Sequence, residues 1–266
     1  MSGVADIVDT LPSLPLAVLY DWDNTLVDNW GTVRAALNHA LVSFGHPPWS
    51  EAEARERIKQ SMRDSFPRIF GERWTDARDA FYAYFEAHHL EHLRPLPGAE
   101  SLLRGFAERG IYQAVVSNKN GRFLRAEADR LGWTGYFGRL VGAQDAEFDK
   151  PHAAPVRMAL EPAGIAPGPG VWFVGDADID MECAHGAGLV PVLIGAGEGS
   201  GFGRFPPTHR YETCHALCGL VGRGGDTISV EQSSRRLQRA PNLSLRGAGS
   251  LTKGPKNTEE GGDINV

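Results

Sequence analysis

The sequence predicts an α/β protein: a doubly wound parallel sheet with a helical segment inserted after its first strand. Short apolar segments, each long enough for one strand, occur at residues 16–20, 112–116, 139–142, 171–174 and 190–194. Helical segments separate the last four, and strands that alternate with helices form parallel sheets with right-handed crossovers. A long helical stretch follows the first strand and interrupts this alternation, so it is an insertion.

The first predicted strand, residues 16–20, ends directly before two acidic residues, Asp21 and Asp23. Ligands of open α/β sheets bind at the carboxyl ends of the strands, so an active site is expected here. Two carboxylates this close repel each other and lose water when buried, and a divalent cation is the usual compensation. Taken alone, this segment could equally be a solvent-exposed, Asp-rich turn.

The inserted segment, residues 30–94, is predicted to form a helical cap domain. Apolar residues recur at helical spacing over residues 33–44, and a glycine with two prolines ends that helix. Residues 51–62 form a charged helix, and residues 76–93 form a longer helix with one apolar stripe. His88 lies on this stripe, and we interpret it as a packing residue rather than a ligand.

The second part of the core, residues 95–221, alternates between helices and strands. The predicted elements are helix 99–109, strand 112–116, helix 122–131, strand 139–142, helix 153–163, strand 171–174, helix 181–187 and strand 190–194. This segment and residues 1–29 together form the α/β core domain. Residues 222–266 lose periodicity and are rich in Gly, Ser, Arg, Asn and Pro, which predicts a disordered tail.

A second acidic cluster, with Asp176 and Asp180, follows the strand at residues 171–174. If this strand neighbours the first one, the two clusters face each other and can share a metal ion. Oxygen ligands with few carboxylates suit Mg²⁺, which keeps some waters and takes other ligands from phosphate. An EF-hand calcium loop does not fit, because neither acidic run has the glycine and glutamate that such a loop needs at its sixth and twelfth positions.

The composition excludes several classes of protein. A formal charge of −6 argues against a nucleic-acid surface, and no apolar run approaches the length that spans a membrane. The three cysteines do not make a disulfide framework, and no signal peptide is evident, so an intracellular, cytoplasmic protein is expected. Cys214 and Cys218 have helical spacing, which favours a half-buried helix over a metal site. Only three lysines, Lys59, Lys119 and Lys150, precede residue 222.

Polar residues therefore follow four strand ends: Asp21 with Asp23, Ser117 with Asn118, Lys150, and Asp176 with Asp180. This order resembles the four motifs of the haloacid dehalogenase superfamily over residues 16–221, and the helical insertion lies where that family has its cap. The Pro-Gly return at residues 97–98, followed by a helix, resembles the phosphoglycolate-phosphatase-like branch. Asn24 stands where the family most often has glycine, after the bulky Trp22, and we expect both side chains to point away from the phosphate.

The resemblance implies an aspartyl-phosphate mechanism with Mg²⁺ as cofactor. Asp21 would be the nucleophile, and Asp23 would protonate the leaving oxygen and then activate water. The residues implied as metal site are Asp21, Asp23 through its backbone carbonyl, Asp176 and Asp180, the last of which would orient metal-bound water. The residues implied as phosphate-binding are Thr25, Ser117, Asn118 through nearby backbone N–H groups, and Lys150, which would neutralise charge.

Other functions share parts of this pattern. A dehalogenase needs no acid for a halide leaving group, so Asp23 favours a phosphate ester. A phosphosugar mutase of the β-phosphoglucomutase kind has all four motifs and stays open as an alternative. A non-catalytic binding protein on the same fold is disfavoured by the intact Asp21, Asp23 and Lys150. A P-loop protein is excluded, because no lysine is followed by Ser or Thr.

The expected substrate is a small phosphorylated metabolite, with phosphoglycolate as the first hypothesis because the cap is small and helical. Several cap arginines are candidates for binding a second anionic group: Arg34, Arg55, Arg63, Arg68 and Arg73. No nucleic-acid or membrane partner is expected, and the sequence leaves the oligomeric state open.

Overall fold

The computed structural model describes residues 14–57, 62–195 and 200–223. Its strands are β1 (Ala17–Tyr20), β2 (Val27–Asp28), β3 (Arg94–Pro95), β4 (Tyr112–Asn120), β5 (Arg139–Ala143), β6 (Val171–Gly175), β7 (Val190–Ile194) and β8 (His209–Tyr211). Its α-helices are α1 (Trp30–Ser43), α2 (Glu51–Arg57), α3 (Met62–Phe70), α4 (Trp74–His92), α5 (Ala99–Glu108), α6 (Gly121–Arg130), α7 (Ala154–Leu160), α8 (Asp178–Gly186) and α9 (Cys214–Arg223). Six of the strands form one parallel sheet in the order β5-β4-β1-β6-β7-β8.

Strand β1 lies inside this sheet, paired with β4 on one side and β6 on the other. Val18 and Tyr20 pack into an apolar cluster on one face, and Ala17 and Leu19 pack into a cluster on the other. Successive side chains of a strand point to opposite faces, so both faces of the sheet are covered. This placement brings the carboxyl ends of β4, β1 and β6 to one edge of the core, and it confirms the predicted fold class.

The helical insertion comprises α1 to α4 and lies between β2 and β3. These two short strands pair antiparallel, so the chain leaves and re-enters the core at adjacent points. The insertion has its own apolar cluster, in which Leu37 and Leu41 of α1 pack with Phe81 and Phe85 of α4. Phe123 of α6 belongs to the same cluster, so the apolar packing continues from the cap onto the core.

Several predicted boundaries differ from the structure. The strand predicted over residues 112–116 continues to Asn120 in β4, so Ser117 and Asn118 lie near its carboxyl end. Of the charged helix predicted over residues 51–62, the structure describes α2 (Glu51–Arg57) and Met62, the first residue of α3, and residues 58–61 lie outside the described residues. Strands β2, β3 and β8 were not predicted, because two or three residues are too few to show a period of two. Helix α9 ends at Arg223, and the remainder of the predicted tail, residues 224–266, lies outside the described residues.

Two further predictions concern the helices. Cys214 and Cys218 lie on helix α9, as their spacing predicts. Within the described part of the chain, no helix combines the length and apolarity needed to cross a membrane.

Candidate active site

The loop after β1 carries the first acidic pair. The backbone N–H of Asp21 donates to the carbonyl of Val174 at 2.9 Å, so the loop begins as a continuation of the β1–β6 pairing. Asn24 has φ 59°, in the left-handed region, where asparagine is tolerated better than other residues with a Cβ atom. This conformation explains why asparagine can stand where the family usually has glycine. Trp22 is fully buried in the core beneath the loop.

Lys150 lies at the centre of the site. Its buried Nζ is 2.7 Å from Oδ1 of Asp21 and 2.7 Å from Oδ1 of Asp180. Burial alone would lower the pKa of Lys150, but Asp180 and Asp21 together hold the pKa above its ordinary value. The ammonium group is therefore charged at neutral pH and joins the carboxylates that follow β1 and β6.

Three carboxylates surround this position, and they carry more negative charge than Lys150 can balance. One carboxylate oxygen each from Asp21, Asp176 and Asp180 lies within 4.8 Å of the others. Burial, with Asp180 and Asp21, raises the pKa of Asp176 well above its ordinary value. Burial also raises the pKa of Asp180 to about 6, although Lys150 opposes this shift. Clustered hard oxygen donors with excess negative charge fit a divalent cation.

Thr25 and Asn118 hold parts of this site in place. The hydroxyl of Thr25 donates to Oδ1 of Asp176 at 3.1 Å, which links the loops after β1 and β6. The side-chain amide of Asn118 donates to the backbone carbonyl of Lys150 at 3.1 Å and accepts from its N–H at 3.0 Å. The Asn118 side chain thus orients Lys150. Phosphate binding by the backbone N–H groups near Asn118 stays a prediction. Ser117 is buried, and its hydroxyl oxygen accepts from the N–H of Lys119 at 3.2 Å.

The side chain of Asp23 binds Lys119, whereas the side chain of Asp21 binds Lys150. Oδ1 of Asp23 accepts a hydrogen bond from Nζ of Lys119 at 2.8 Å, and the Asp23 side chain is 27% exposed. Burial raises the pKa of Asp23 to about 6, with Glu127 and Asp21 adding to the rise and Lys119 opposing it. A carboxyl group with such a pKa exchanges protons readily near neutral pH, which suits an acid–base role.

Lys119 was not predicted to belong to the site, and neither were Glu127 and His89. Nζ of Lys119 is 2.9 Å from Oε1 of Glu127, and Nδ1 of His89 is 2.8 Å from the same oxygen. One signal was available: Glu127 occupies an apolar stripe of α6, together with the buried Leu124 and Ala128. A charged residue in such a stripe needs a buried partner.

The cap arginines proposed as anion ligands lie on the helical insertion. The guanidinium of Arg73 packs over the ring of Phe44 at 4.3 Å, and Arg34 is half-buried on α1. The side chains of Arg55 and Arg63 lie outside the described residues. Arg68 is in the last turn of α3. Their roles therefore stay predictions.

Comparisons with known proteins agree with this architecture. The family model of haloacid dehalogenase-like hydrolases matches residues 18–194, more than half of the chain. Phosphoglycolate phosphatase 1 of Pseudomonas aeruginosa is 31% identical over 187 residues, which cover 66% of this chain and 68% of that protein. The phosphoglycolate phosphatase of Aquifex aeolicus is 29% identical over 180 residues, which cover 66% of this chain and 83% of that protein.

Solved structures show the same fold. A haloacid dehalogenase superfamily hydrolase from Ehrlichia chaffeensis matches with a TM-score of 0.55 and 27% identity, covering 79% of this chain and 97% of the other. A predicted phosphoglycolate phosphatase from Haemophilus somnus matches with a TM-score of 0.69 and 21% identity, covering 77% and 96%. The expectation of a hydrolase with an inserted helical cap is therefore confirmed. The chain belongs to the haloacid dehalogenase-like hydrolase family, in the branch that resembles the phosphoglycolate phosphatases.

Proposed function

We propose that this hydrolase is a Mg²⁺-dependent phosphatase that cleaves a small phosphorylated metabolite through an aspartyl-phosphate intermediate. One observation carries the proposal: Lys150 joins Asp21 to Asp180 within a cluster of three carboxylates, while Asp23 lies two residues from Asp21 with a separate cation. The arrangement supplies a buried nucleophile, a charge that attracts phosphate, and a distinct acid–base group.

Asp21 is the nucleophile in this mechanism. One carboxylate oxygen attacks phosphorus, an O–P bond forms, and the bond between phosphorus and the leaving oxygen breaks. Lys150 binds Oδ1 of Asp21 at 2.7 Å and thereby orients the carboxylate before attack. The same ammonium group offsets negative charge on the phosphoryl oxygens, since it is buried in a site where electrostatic interactions are strong.

Asp23 transfers the protons. Its pKa of about 6 allows a fraction of the enzyme to carry the protonated carboxyl group, which donates to the leaving oxygen as the alcohol departs. The resulting carboxylate then accepts a proton from the water that attacks phosphorus. The O–P bond to Asp21 breaks, phosphate leaves, and both aspartates return to their starting states.

The residues that would hold Mg²⁺ are Asp21, Asp176 and Asp180, together with the backbone carbonyl of Asp23 that the family resemblance implies. When bound, the ion supplies positive charge that neutralises the phosphoryl oxygens and the clustered carboxylates. Ser117, near the carboxyl end of β4, would donate to a phosphoryl oxygen. Thr25 keeps Asp176 oriented through the hydrogen bond from its hydroxyl.

Phosphoglycolate is the first candidate substrate. The supporting observations are the names of the relatives in Pseudomonas aeruginosa and Aquifex aeolicus, and the small helical cap. A phosphosugar mutase is the alternative, and it differs in returning the phosphoryl group to a sugar rather than to water.

The test is a panel of phosphate esters assayed with purified protein and Mg²⁺, with and without a chelator. We expect turnover that the chelator abolishes and Mg²⁺ restores, with the best rates for small esters that carry a carboxylate. Oxygen from labelled water should appear in the released phosphate, whereas isomerisation of a sugar phosphate without release would favour the mutase.

Asp21→Asn should reduce turnover to background while the melting temperature stays close to wild type, because the amide keeps the shape but not the nucleophile. Asp178→Asn is the matched control, since Asp178 is an exposed acid at the start of α8 in the same loop region. Substantial hydrolysis by the Asp21 variant would refute covalent catalysis by this residue.

A further inference from the structure

A buried lysine separates the acid–base group from a buried glutamate. Nζ of Lys119 is 2.8 Å from Oδ1 of Asp23 and 2.9 Å from Oε1 of Glu127. The side chains of Lys119 and Glu127 are 1% and 0% exposed, whereas that of Asp23 is 27% exposed. Asp23 is thus the partly exposed end of a row of three charged side chains, and the other two, Lys119 and Glu127, are buried.

The position of Lys119 is set from several directions. Its backbone N–H donates to Oγ of Ser117 near the carboxyl end of β4, and its ammonium lies 5.2 Å from the ring centre of Phe85 in the cap. Burying an ammonium group is costly unless it is paired, so the contacts with Asp23 and Glu127 are required for the fold to keep it there. The ammonium group of Lys119 is therefore held beside the Asp23 carboxylate.

Glu127 is held in turn by one donor from the core and one group from the cap. The indole N–H of Trp22 donates to Oε2 of Glu127 at 2.7 Å, and Nδ1 of His89 on α4 is 2.8 Å from Oε1. His89 also packs against Phe123 at 5.0 Å between ring centres. Groups of both the core and the cap therefore hold Glu127, which in turn pairs with Lys119.

We infer that Lys119 is a positioning residue for proton transfer by Asp23, an inference that rests on the acid–base role proposed above. Lys119 occupies Oδ1 of Asp23, which leaves Oδ2 to carry the proton that goes to the leaving oxygen. Glu127 balances the charge of Lys119, and the lysine fixes the orientation of the Asp23 carboxyl group. His89 connects Glu127 to cap helix α4.

The inference predicts an effect that depends on the leaving group. An alkyl phosphate such as phosphoglycolate releases a poor leaving group and needs a proton, whereas p-nitrophenyl phosphate releases a stable phenolate without one. The ratio kcat/KM includes only the steps up to loss of the alcohol, so hydrolysis of the shared intermediate does not enter the comparison. A defect in placing the acid should lower kcat/KM more for the alkyl ester.

The experiment measures kcat and KM of Lys119→Met for the best alkyl phosphate of the panel and for p-nitrophenyl phosphate. General acid catalysis typically contributes 10²–10⁴-fold, so we expect kcat/KM for the alkyl ester to fall by at least about tenfold more than for the phenyl ester. The loss should appear in kcat rather than KM, because Lys119 contacts the acid and not the phosphate.

Two further variants keep the test decisive. Lys119→Met leaves the charge of Glu127 buried, so the double variant Lys119→Met/Glu127→Gln, which removes both charges, replaces it if the single variant does not fold. Arg122→Met is the control: it removes an exposed ion pair between core and cap, Arg122 with Glu86 at 2.9 Å. This control should leave kcat/KM for both esters unchanged.

The outcomes separate this inference from the proposed function. Equal losses for the two esters, or no loss for either, would overturn the positioning role of Lys119. If Asp23→Asn showed no preference between the esters while Asp21→Asn remained inactive, the acid–base role of Asp23 would be wrong. If wild-type protein hydrolysed neither ester, the proposed phosphatase activity itself would fail.

Discussion

Gly175 is the last residue of β6, and the site depends on its lack of a side chain. A Cβ atom at this position would overlap Cβ, Cγ and Oδ2 of Asp180, which reaches back from the first turn of α8. The Cβ of Asp180 cannot move without moving the helix, so Gly175→Ala must displace the carboxylate. Asp180 would then lose its contact with Lys150 and its place among the clustered acids.

The cost has a structural and a catalytic part. Overpacking a close-packed region typically costs about 1–3 kcal/mol, and for a domain of this size each kcal/mol lowers the melting temperature by about 2–4 °C. Lys150 would keep only Asp21 as a partner, so the group that orients the nucleophile is less well fixed. Loss of one preorganised group commonly costs about 10²–10³-fold in kcat, and we expect about 10²-fold here.

Thermal unfolding and steady-state kinetics with the best phosphate ester measure the two parts. Gly135→Ala is the matched control, because a Cβ atom there meets nothing within 4 Å and its φ is not in the left-handed region. The control should keep wild-type kcat and a melting temperature that is unchanged or slightly higher. Wild-type kcat and stability in Gly175→Ala, or similar losses in the control, would refute the steric argument.

Two other predictions concern buried polar groups. Tyr20→Phe removes a buried hydroxyl that donates to Oε1 of Gln113 at 2.9 Å, and it should lower the free energy of unfolding in urea by about 1–3 kcal/mol, because the buried acceptor is left unsatisfied. Burial raises the pKa of the Cys183 and Cys214 thiols to about 12, so near neutral pH a thiol reagent should label the half-buried Cys218 in the folded protein and the other two only after unfolding.

A specific result would contradict each of these two predictions. An unchanged free energy of unfolding in Tyr20→Phe would show that its hydroxyl contributes nothing to stability. Rapid labelling of Cys183 or Cys214 in the native protein would show that the core around them opens more readily than its packing indicates. Labelling of the urea-unfolded protein serves as the reference for complete reaction.

Much of the site could be predicted because its residues follow strands. Asp21, Lys150 and Asp180 are far apart in sequence, yet apolar runs and the rule for parallel sheets place the ends of their strands at one edge. The structure brings these three side chains within hydrogen-bonding distance. Their roles in catalysis stay predictions until the variants are measured.

The partners of Asp23 could not be predicted in the same way. Lys119 is 96 positions away from Asp23 in the chain, and His89 is 38 positions from Glu127. Such contacts depend on which face of α6 meets the cap and on the rotamers of long side chains. The side-chain contacts of Asn118 were missed for the same reason, because its position near the carboxyl end of β4 does not reveal that it binds the backbone of Lys150.

The amino-acid sequence by itself determined the succession of strands and helices along the chain, the inserted helices and the edge of the sheet where the acids gather. It could do so because hydrophobic periodicity is a local property. Tertiary packing alone decided which cation meets which carboxylate: Lys150 meets Asp21 and Asp180, and Lys119 meets Asp23 and Glu127. The physical reason is that a buried charge is tolerated only beside its partner, and the choice of partner depends on a few ångströms of side-chain reach.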